Sequence, residues 1–429
     1  MAFPKYESYK DSGVEWLGEI PEHWDLQNIR AVTELKSKRN RPDFPVLSVY
    51  REYGVLLKDS RDDNHNATGL DISSYKVVEI GDLVINKMKA WQGSMGVSDY
   101  QGIVSPAYII CRVKSEKVEP KFLHYLLRSK PYIGVYNALS CGVRTGQWDM
   151  HYEDFKKIPI PLPTSEEQKR IVAFIERTTA EIDEAIAKKQ HLIKLLQEQK
   201  SILINQAVTK GLNPQAPMRD SGVEWIGEIP EHWEVRKLKH LLKSMDYGLS
   251  ESALSEGDYK YLNMGHIQAG RVILKNTGYL NNIPDDLILE PNDILFNRTN
   301  SFDLVGKSGI FQGKKSDNVT FASYLVRLRV TEDVEPVWFN YLLNDLLFLK
   351  YIRSLALRSL NQANLNPNRL SVVYIPTPPF EEQKKIAKIL SLKETEFEQQ
   401  IENIGNSINL YEELKSIYIA NAVTGKIKI

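Results

Sequence analysis

Residues 11–26 read DSGVEWLGEIPEHWDL, and residues 220–235 read DSGVEWIGEIPEHWEV. Thirteen of the sixteen positions are identical, and the other three are conservative. Two more pairs follow. IPIPLPTSEEQK at 158–169 matches IPTPPFEEQK at 375–384, and QAVTKG at 206–211 matches NAVTGK at 421–426. Between these near-copies lie two stretches that scarcely resemble each other. A chain that repeats its frame and varies its contents is one scaffold presenting two different readers. A repeat of about 210 residues makes two halves.

From Glu166 the pattern turns helical. Apolar residues fall at Ile171, Ile175, Ile182, Ile186, Ile193, Leu196 and Leu203, and steps of three, four and seven keep them on one face. At a constant offset of 215 the second copy has Ile386, Leu390, Phe397, Ile401, Ile408, Tyr411 and Tyr418, with no gap. Thr164 or Ser165 before Glu166 and Glu167 gives a start signal, and proline precedes both helices. Lys210-Gly211 and Gly425-Lys426 give the stops. The predicted helices run over 166–208 and 381–422. The first would be about 60 Å long and must bury its stripe against something. Its own copy is the expected partner, with these fourteen residues as a coiled-coil interface. Gly405, inside the second helix, is expected to mark a kink.

The variable stretches share an order of elements. In the first, strands are predicted at 44–50, 83–86 and 108–113, and a helix at 120–139. In the second, strands are predicted at 259–264, 293–297 and 324–330, and a helix at 337–355. Asp82-Leu-Val-Ile-Asn86 matches Asp293-Ile-Leu-Phe-Asn297, and Tyr125-Leu-Leu matches Tyr341-Leu-Leu. The expectation is one mixed α/β fold used twice, differing in its loops.

Net charge is zero over 429 residues, which at first argues against a nucleic-acid partner. Local counts differ. Residues 26–165 carry 20 Lys and Arg against 15 Asp and Glu, and residues 235–380 carry 17 against 14. The repeated helical segments show no such excess, and cations are needed only where phosphates lie. No apolar run is long enough for a membrane span. With two cysteines, Cys111 and Cys141, and no apolar signal core at the start, free thiols and a cytosolic location are expected.

Four loops are rich in groups that pair with base edges or phosphates. The first stretch offers Lys87, Lys89, Trp91 and Gln92, then Arg144, Thr145 and Gln147. The second offers Arg298, Thr299 and Asn300, then Arg358, Asn361, Gln362 and Asn364. Solvated polar loops are common, but these recur at equivalent places with different residues each time.

Catalytic patterns fail. Val305-Gly306-Lys307-Ser308 lacks the earlier glycine of a phosphate-binding loop, because Ser301 stands there. Thr377-Pro-Pro-Phe380 departs from the amino-methyltransferase motif in its first residue and reads as a rigid lead into a helix. Pro42-Asp43 and Pro284-Asp285 are not followed by a nuclease's acidic-x-Lys. No Cys/His spacing suits zinc, and no metal or catalytic residue is expected. His23-Trp24 and His232-Trp233 are read as packing and capping groups.

With these residues set out, the tandem SGVEWxGEIPEHW motif, the prolines and EEQ that lead into each helix, and the AVT endings resemble the specificity subunit of type I restriction-modification systems. The resemblance spans nearly the whole chain. It implies two globular target recognition domains separated by two long antiparallel helices that form a coiled coil, a mixed α+β fold with a pseudo-two-fold internal repeat. The expected divisions are 1–165 (first segment and recognition domain 1), 166–211 (central helix), 212–380 (repeated segment and recognition domain 2) and 381–429 (C-terminal helix). It further implies a non-catalytic protein that reads a split, asymmetric target in double-stranded DNA. Two modification subunits carrying S-adenosylmethionine would dock on it, with motor-nuclease restriction subunits joining the assembly. The family's glutamine loop would place Gln147 and Gln362 toward DNA. A coiled-coil adaptor that reads no sequence is the alternative. It gives no reason for one fold with two loop sets.

Overall fold

The computed structural model of the chain describes residues 3–60, 72–114, 116–140, 148–359 and 362–429. Contacts divide it into two units: Met1–Lys189 with Gly405–Ile429, and Gln190–Ile404. Each dividing line falls inside a long helix, because the central helix runs Ser165–Lys210 and the C-terminal helix Phe380–Val423.

In the first unit, strands Thr33–Lys36, Tyr108–Val113, Asp82–Asn86 and Met95–Val97 form an antiparallel sheet in that order. Two helices follow, Pro120–Leu127 and Lys130–Leu139. The predicted single helix over 120–139 is broken here because Pro131 cannot continue it and fits only the first turn of a new one. Leu83, Ile85, Cys111 and Phe122 form one core with Trp24 and with Ile171, Ile175, Ala422 and Val423 from the two long helices. Within this unit the helices pair antiparallel. Phe3 wedges between Phe174 and Tyr418, Asp183 pairs with Lys415 at 2.7 Å, and the Lys189 ammonium lies over the Tyr411 ring.

The second unit repeats the plan and extends it. Strands Leu242–Tyr247, Leu325–Val330, Ile294–Asn297 and Ser308–Ile310 take the same four places, and the short strands at 271–272 and 267–268 lengthen the sheet to six. The predicted helix over 337–355 is again two, Pro336–Leu343 and Leu346–Ser354. Asp345 divides them, its carboxylate accepting from Leu347 N and Phe348 N at 2.9 and 3.1 Å. Ile294, Phe296, Trp338 and Phe339 pack with Ala207, Val208, Ile386 and Leu390. Lys200 pairs with Glu394 at 2.6 Å across the two helical segments, which are again antiparallel.

The repeated words build the same junction in each unit. The strand Asp25–Asn28 pairs with Pro159–Leu162, and Glu234–Lys237 with Tyr374–Thr377, so each globular domain begins and ends side by side. Two-stranded ribbons accept the prolines, which have no N–H to donate. Glu167, in the first turn of the central helix, accepts from His23 Nε2 at 3.0 Å, Trp24 Nε1 at 3.2 Å and the Tyr6 hydroxyl at 2.6 Å. Glu382 accepts from His232 Nε2 at 2.8 Å and Trp233 Nε1 at 3.1 Å. The next residue of each EEQ ties in the globular domain. Gln168 Oε1 accepts from Glu119 N while its amide donates to Pro163 O. Gln383 does the same with Glu335 N and Pro378 O. Trp24 and Trp233 are fully buried, each worth roughly 2–3 kcal/mol of apolar burial.

The helix ends also match. Gly211 and Gly425 take positive φ just past the last turn, where an L side chain would be strained. Thr164 caps the central helix, its hydroxyl accepting from Glu167 N. Gly405 lies inside the C-terminal helix, whose span runs through it without a break in the helical backbone. Its neighbours on the helix satisfy the backbone ladder, and one glycine is tolerated within so long an element.

Candidate nucleic-acid interface

Both candidate surfaces grow from one turn. Glu79 N donates to Asp82 Oδ2 at 2.7 Å, and Glu290 N to Asp293 Oδ2 at 2.9 Å. The residue before each aspartate is left-handed, Gly81 in one domain and Asn292 in the other, the two residue types that best accept that conformation. Asp82 is then held by Lys36 and Asp293 by Arg329. These anchored aspartates start the matched strands, which deliver Asn86 and Asn297 to the loops singled out from the sequence.

In the first domain Lys87–Gln92 forms a short 3₁₀ turn. Lys87 Nζ pairs with Asp149 Oδ2 at 3.1 Å, and Met150 N donates to Lys87 O, so this loop is tied to the segment after residue 147. Trp91 packs near Trp148 with ring centroids 5.4 Å apart, and Gln92 is half-buried beside it. Lys89 is exposed, and its side chain has no hydrogen bond or ion pair among the described residues. Arg144, Thr145 and Gln147 lie outside the described residues.

The sequence missed two cations here. Lys76 Nζ donates to Tyr108 O at 2.6 Å, and Arg39 bridges Lys76 through the backbone. Burial, then the positive charges of Arg39 and Lys87, pushes the Lys76 ammonium below its usual range. Three cations thus gather around the end of one strand. No local pattern could reveal this, since Arg39, Lys76 and Lys87 come from three separated segments.

In the second domain the loops meet as a small sheet. Thr299–Asn300 pairs with Ala363–Asn364, which pairs with Leu357–Arg358. Arg298 is half-buried over the Tyr247 ring at 5.1 Å, with Nη2 on Asn364 Oδ1 and Nη1 on Ser323 O. Asn364 donates to the buried Thr299 hydroxyl at 2.9 Å. Asn300 is half-buried, its Oδ1 accepting from Ser301 N. Arg358 and Gln362 are exposed, and Arg358 stacks on Phe302 with its guanidinium carbon 3.6 Å from the ring centroid. Asn361 lies outside the described residues.

Trp91 Nε1 and Asp149 Oδ1 in one domain, and Asn297 Oδ1 and Arg298 Nε in the other, are buried without a hydrogen-bond partner among the described residues. Such atoms cost about 1–3 kcal/mol each, and native structures hold few. Their recurrence where the matched strand meets the loop after the domain helices marks the same spot in both domains.

The other predicted residues fall along the long helices. Ile171, Ile175, Ile182, Ile386 and Leu390 are buried. Ile186, Ile193, Leu196, Leu203, Phe397, Ile401, Ile408, Tyr411 and Tyr418 are half-buried. Val305-Gly306-Lys307-Ser308 leads into the strand Ser308–Ile310, not a helix, which removes the phosphate-loop geometry. Among the described residues no three His, Cys, Asp or Glu side chains could hold a metal ion, and no helix is long and apolar enough to cross a membrane.

Known proteins share this arrangement. The family model described as "Type I restriction modification DNA specificity domain" matches residues 21–195 and again 230–405. The MjaVIII specificity subunit of Methanocaldococcus jannaschii is 25% identical over 458 aligned residues, covering 100% of this chain and 98% of that protein. A chain assigned as the MjaX specificity subunit of the same organism is 34% identical over 196 residues, covering 44% of this chain and 45% of the relative. A solved chain of a type I R-M system superposes with a TM-score of 0.70 at 18% identity, covering 94% of this chain and 98% of the other, which speaks to the fold. The duplicated frame, the two recognition domains with their different loops, and a family match in each half all agree: the chain belongs to the type I restriction-modification DNA specificity family.

Proposed function

We infer that this chain is the DNA-reading subunit of a type I restriction-modification system, each recognition domain reading one part of a split target. The observation that carries this is the pairing of one frame with two loop sets. Matching junctions hold domains whose cores correspond, while the side chains at the loops after Asn86 and Asn297 differ in charge, size and hydrogen-bonding pattern. An adaptor would have no use for that divergence.

The open cations are the first contacts to test. Lys87 and Arg298 already have protein partners, whereas the Lys89 ammonium has none among the described residues. With the chain assembled with its modification subunits, Lys89→Ala should weaken DNA binding nearly uniformly across sequences. It should also lower the slope of log K against log salt by about one unit, as loss of one phosphate contact does. The modular reading is tested by exchanging residues 236–374 for those of a relative. One part of the recognised sequence should change and the other stay. A folded exchange that alters both parts would sink it.

Methyl transfer and cleavage belong, in this reading, to partner subunits, and S-adenosylmethionine to the modification subunit. Two such subunits and the restriction subunits would assemble on this chain. Exposed apolar side chains on the helices support protein docking there: Leu192, Leu195, Ile202 and Leu392 in one unit, Leu410 and Ile417 in the other. A methylation assay on the chain alone should show no activity.

A further inference from the structure

Arg358 differs from the other arginines near it. Arg298 is bonded to Asn364 and Ser323, Arg353 to Val305 O and Asp303 O, and Arg369 to Leu355 O. The guanidinium of Arg358 has no hydrogen bond and no carboxylate partner among the described residues, yet it is not left loose. Its guanidinium carbon lies 3.6 Å from the Phe302 ring centroid, a cation–π contact that restricts where the guanidinium can go. Its backbone is fixed as well, because residues 357–358 pair with 363–364 and Ser359 N donates to Gln362 O at 2.7 Å. Leu357, Arg358, Ser359 and Gln362 are all exposed on this ribbon.

We propose that the paired strands 357–358 and 363–364 face the major groove and that Arg358 reads a guanine there, its forked N–H groups donating to O6 and N7. The proposal rests on the DNA-reading function above and names a residue and a base within it. These two neighbouring strands of the small three-stranded sheet make a ribbon, an element the major groove admits. A planar fork restricted in this way suits two coplanar acceptors on a base edge, while a phosphate accepts from a cation over a wide range of approaches. Gln362, exposed on the same ribbon, supplies an amide next to it. Phe302 is then a positioning residue.

The test uses the full chain assembled with its modification subunits, with duplexes selected from a random pool and their affinities measured. Wild type should enrich a motif containing a fixed guanine. Arg358→Lys keeps the charge and loses the planar fork. It should reduce discrimination at that single position by about 5- to 100-fold and leave the rest of the motif unchanged. Phe302→Leu keeps apolar bulk without the ring and should relax the same position to a smaller degree. If Arg358→Lys retains the motif at wild-type affinity, the inference falls. It falls equally if Arg358→Ala weakens every sequence alike and flattens the salt slope by about one, since that is a phosphate contact. If wild type itself enriches no motif, the DNA-reading function falls first and this inference with it.

Discussion

Glu119 and Glu335 are held alike; five residues further along the same helices, His124 and Asn340 are not. Each glutamate N–H donates to the glutamine of an EEQ, at 2.7 and 2.9 Å. His124 accepts from Val97 N at 3.2 Å, and Asn340 donates to Gly270 O and accepts from the Ser308 hydroxyl. At the junction both domains must dock on the same helical word, so residue and geometry are constrained together. Inside a domain, a polar side chain beneath the sheet needs only some partner, and each domain supplies a different one. Divergence is therefore tolerated wherever the contact is internal to one domain.

The comparison breaks most severely where the shared frame is attacked. Ile182 is buried in the helix pairing of the first unit. Ile182→Asp should lower unfolding stability by about 3–5 kcal/mol in a urea titration, through an unpaired buried charge. Ile186→Asp, at a half-buried position, should lower it less. Unchanged midpoints for both would mean that these faces do not pair.

The two junction glutamates sharpen it next. Glu167 is 4% exposed and serves three donors; Glu382 is 24% exposed and serves two. Glu167→Ala leaves the Tyr6 hydroxyl and Trp24 N–H without their acceptor and should cost about 3 kcal/mol, against about 1 kcal/mol for Glu382→Ala. Equal losses would show that depth of burial does not distinguish the two clamps.

His124 makes a difference in pH dependence. Burial, then the charge of Arg128, pushes its pKa down to about 4. The unfolded imidazole takes a proton near pH 6.5, so the unfolded state binds more protons between these values. Stability is then lost as pH falls from about 6.5 toward 4, by roughly 3 kcal/mol in all. Asn340, at the same helix position, does not titrate. His124→Asn should remove this component, read as the difference between wild-type and variant unfolding curves across pH. A difference that stays constant over that range would refute it.

The smallest effect is expected at Gly405. A Cβ there would meet nothing within 4 Å. Gly405→Ala should raise stability by up to about 1 kcal/mol, since alanine loses less backbone entropy in a helix. A fall in thermal midpoint would mean that this position needs glycine.

Much of the frame was legible because it is written in local, periodic and repeated terms. A stripe at one constant offset identifies two long helices, and Gly211 and Gly425 mark their ends whatever they pack against. The break at Pro131 was also legible in principle, since proline cannot sit inside a helix. The break at Asp345 was harder to see, because an N-capping aspartate resembles any surface acid until its carboxylate meets Leu347 N and Phe348 N. The hairpin pairing Tyr9–Asp11 with Glu19–Pro21, inside the repeated motif itself, has too little alternation to read as strand.

The candidate surface was only partly legible. The loops could be located by their matching places after Asn86 and Asn297, but not the state of each side chain within them. Lys87 and Arg298 look as free as Lys89 and Arg358 in the sequence, yet the first two are held by Asp149 and by Asn364. Arg39 and Lys76 were missed, and nothing in their neighbourhoods marks them. The sequence alone determined that one scaffold is used twice, because repetition and helical periodicity depend on near neighbours along the chain. Which cations remain open, which are already paired, and that Phe302 lies under Arg358 were decided only by tertiary structure, because those contacts form when strands far apart in sequence pair in space.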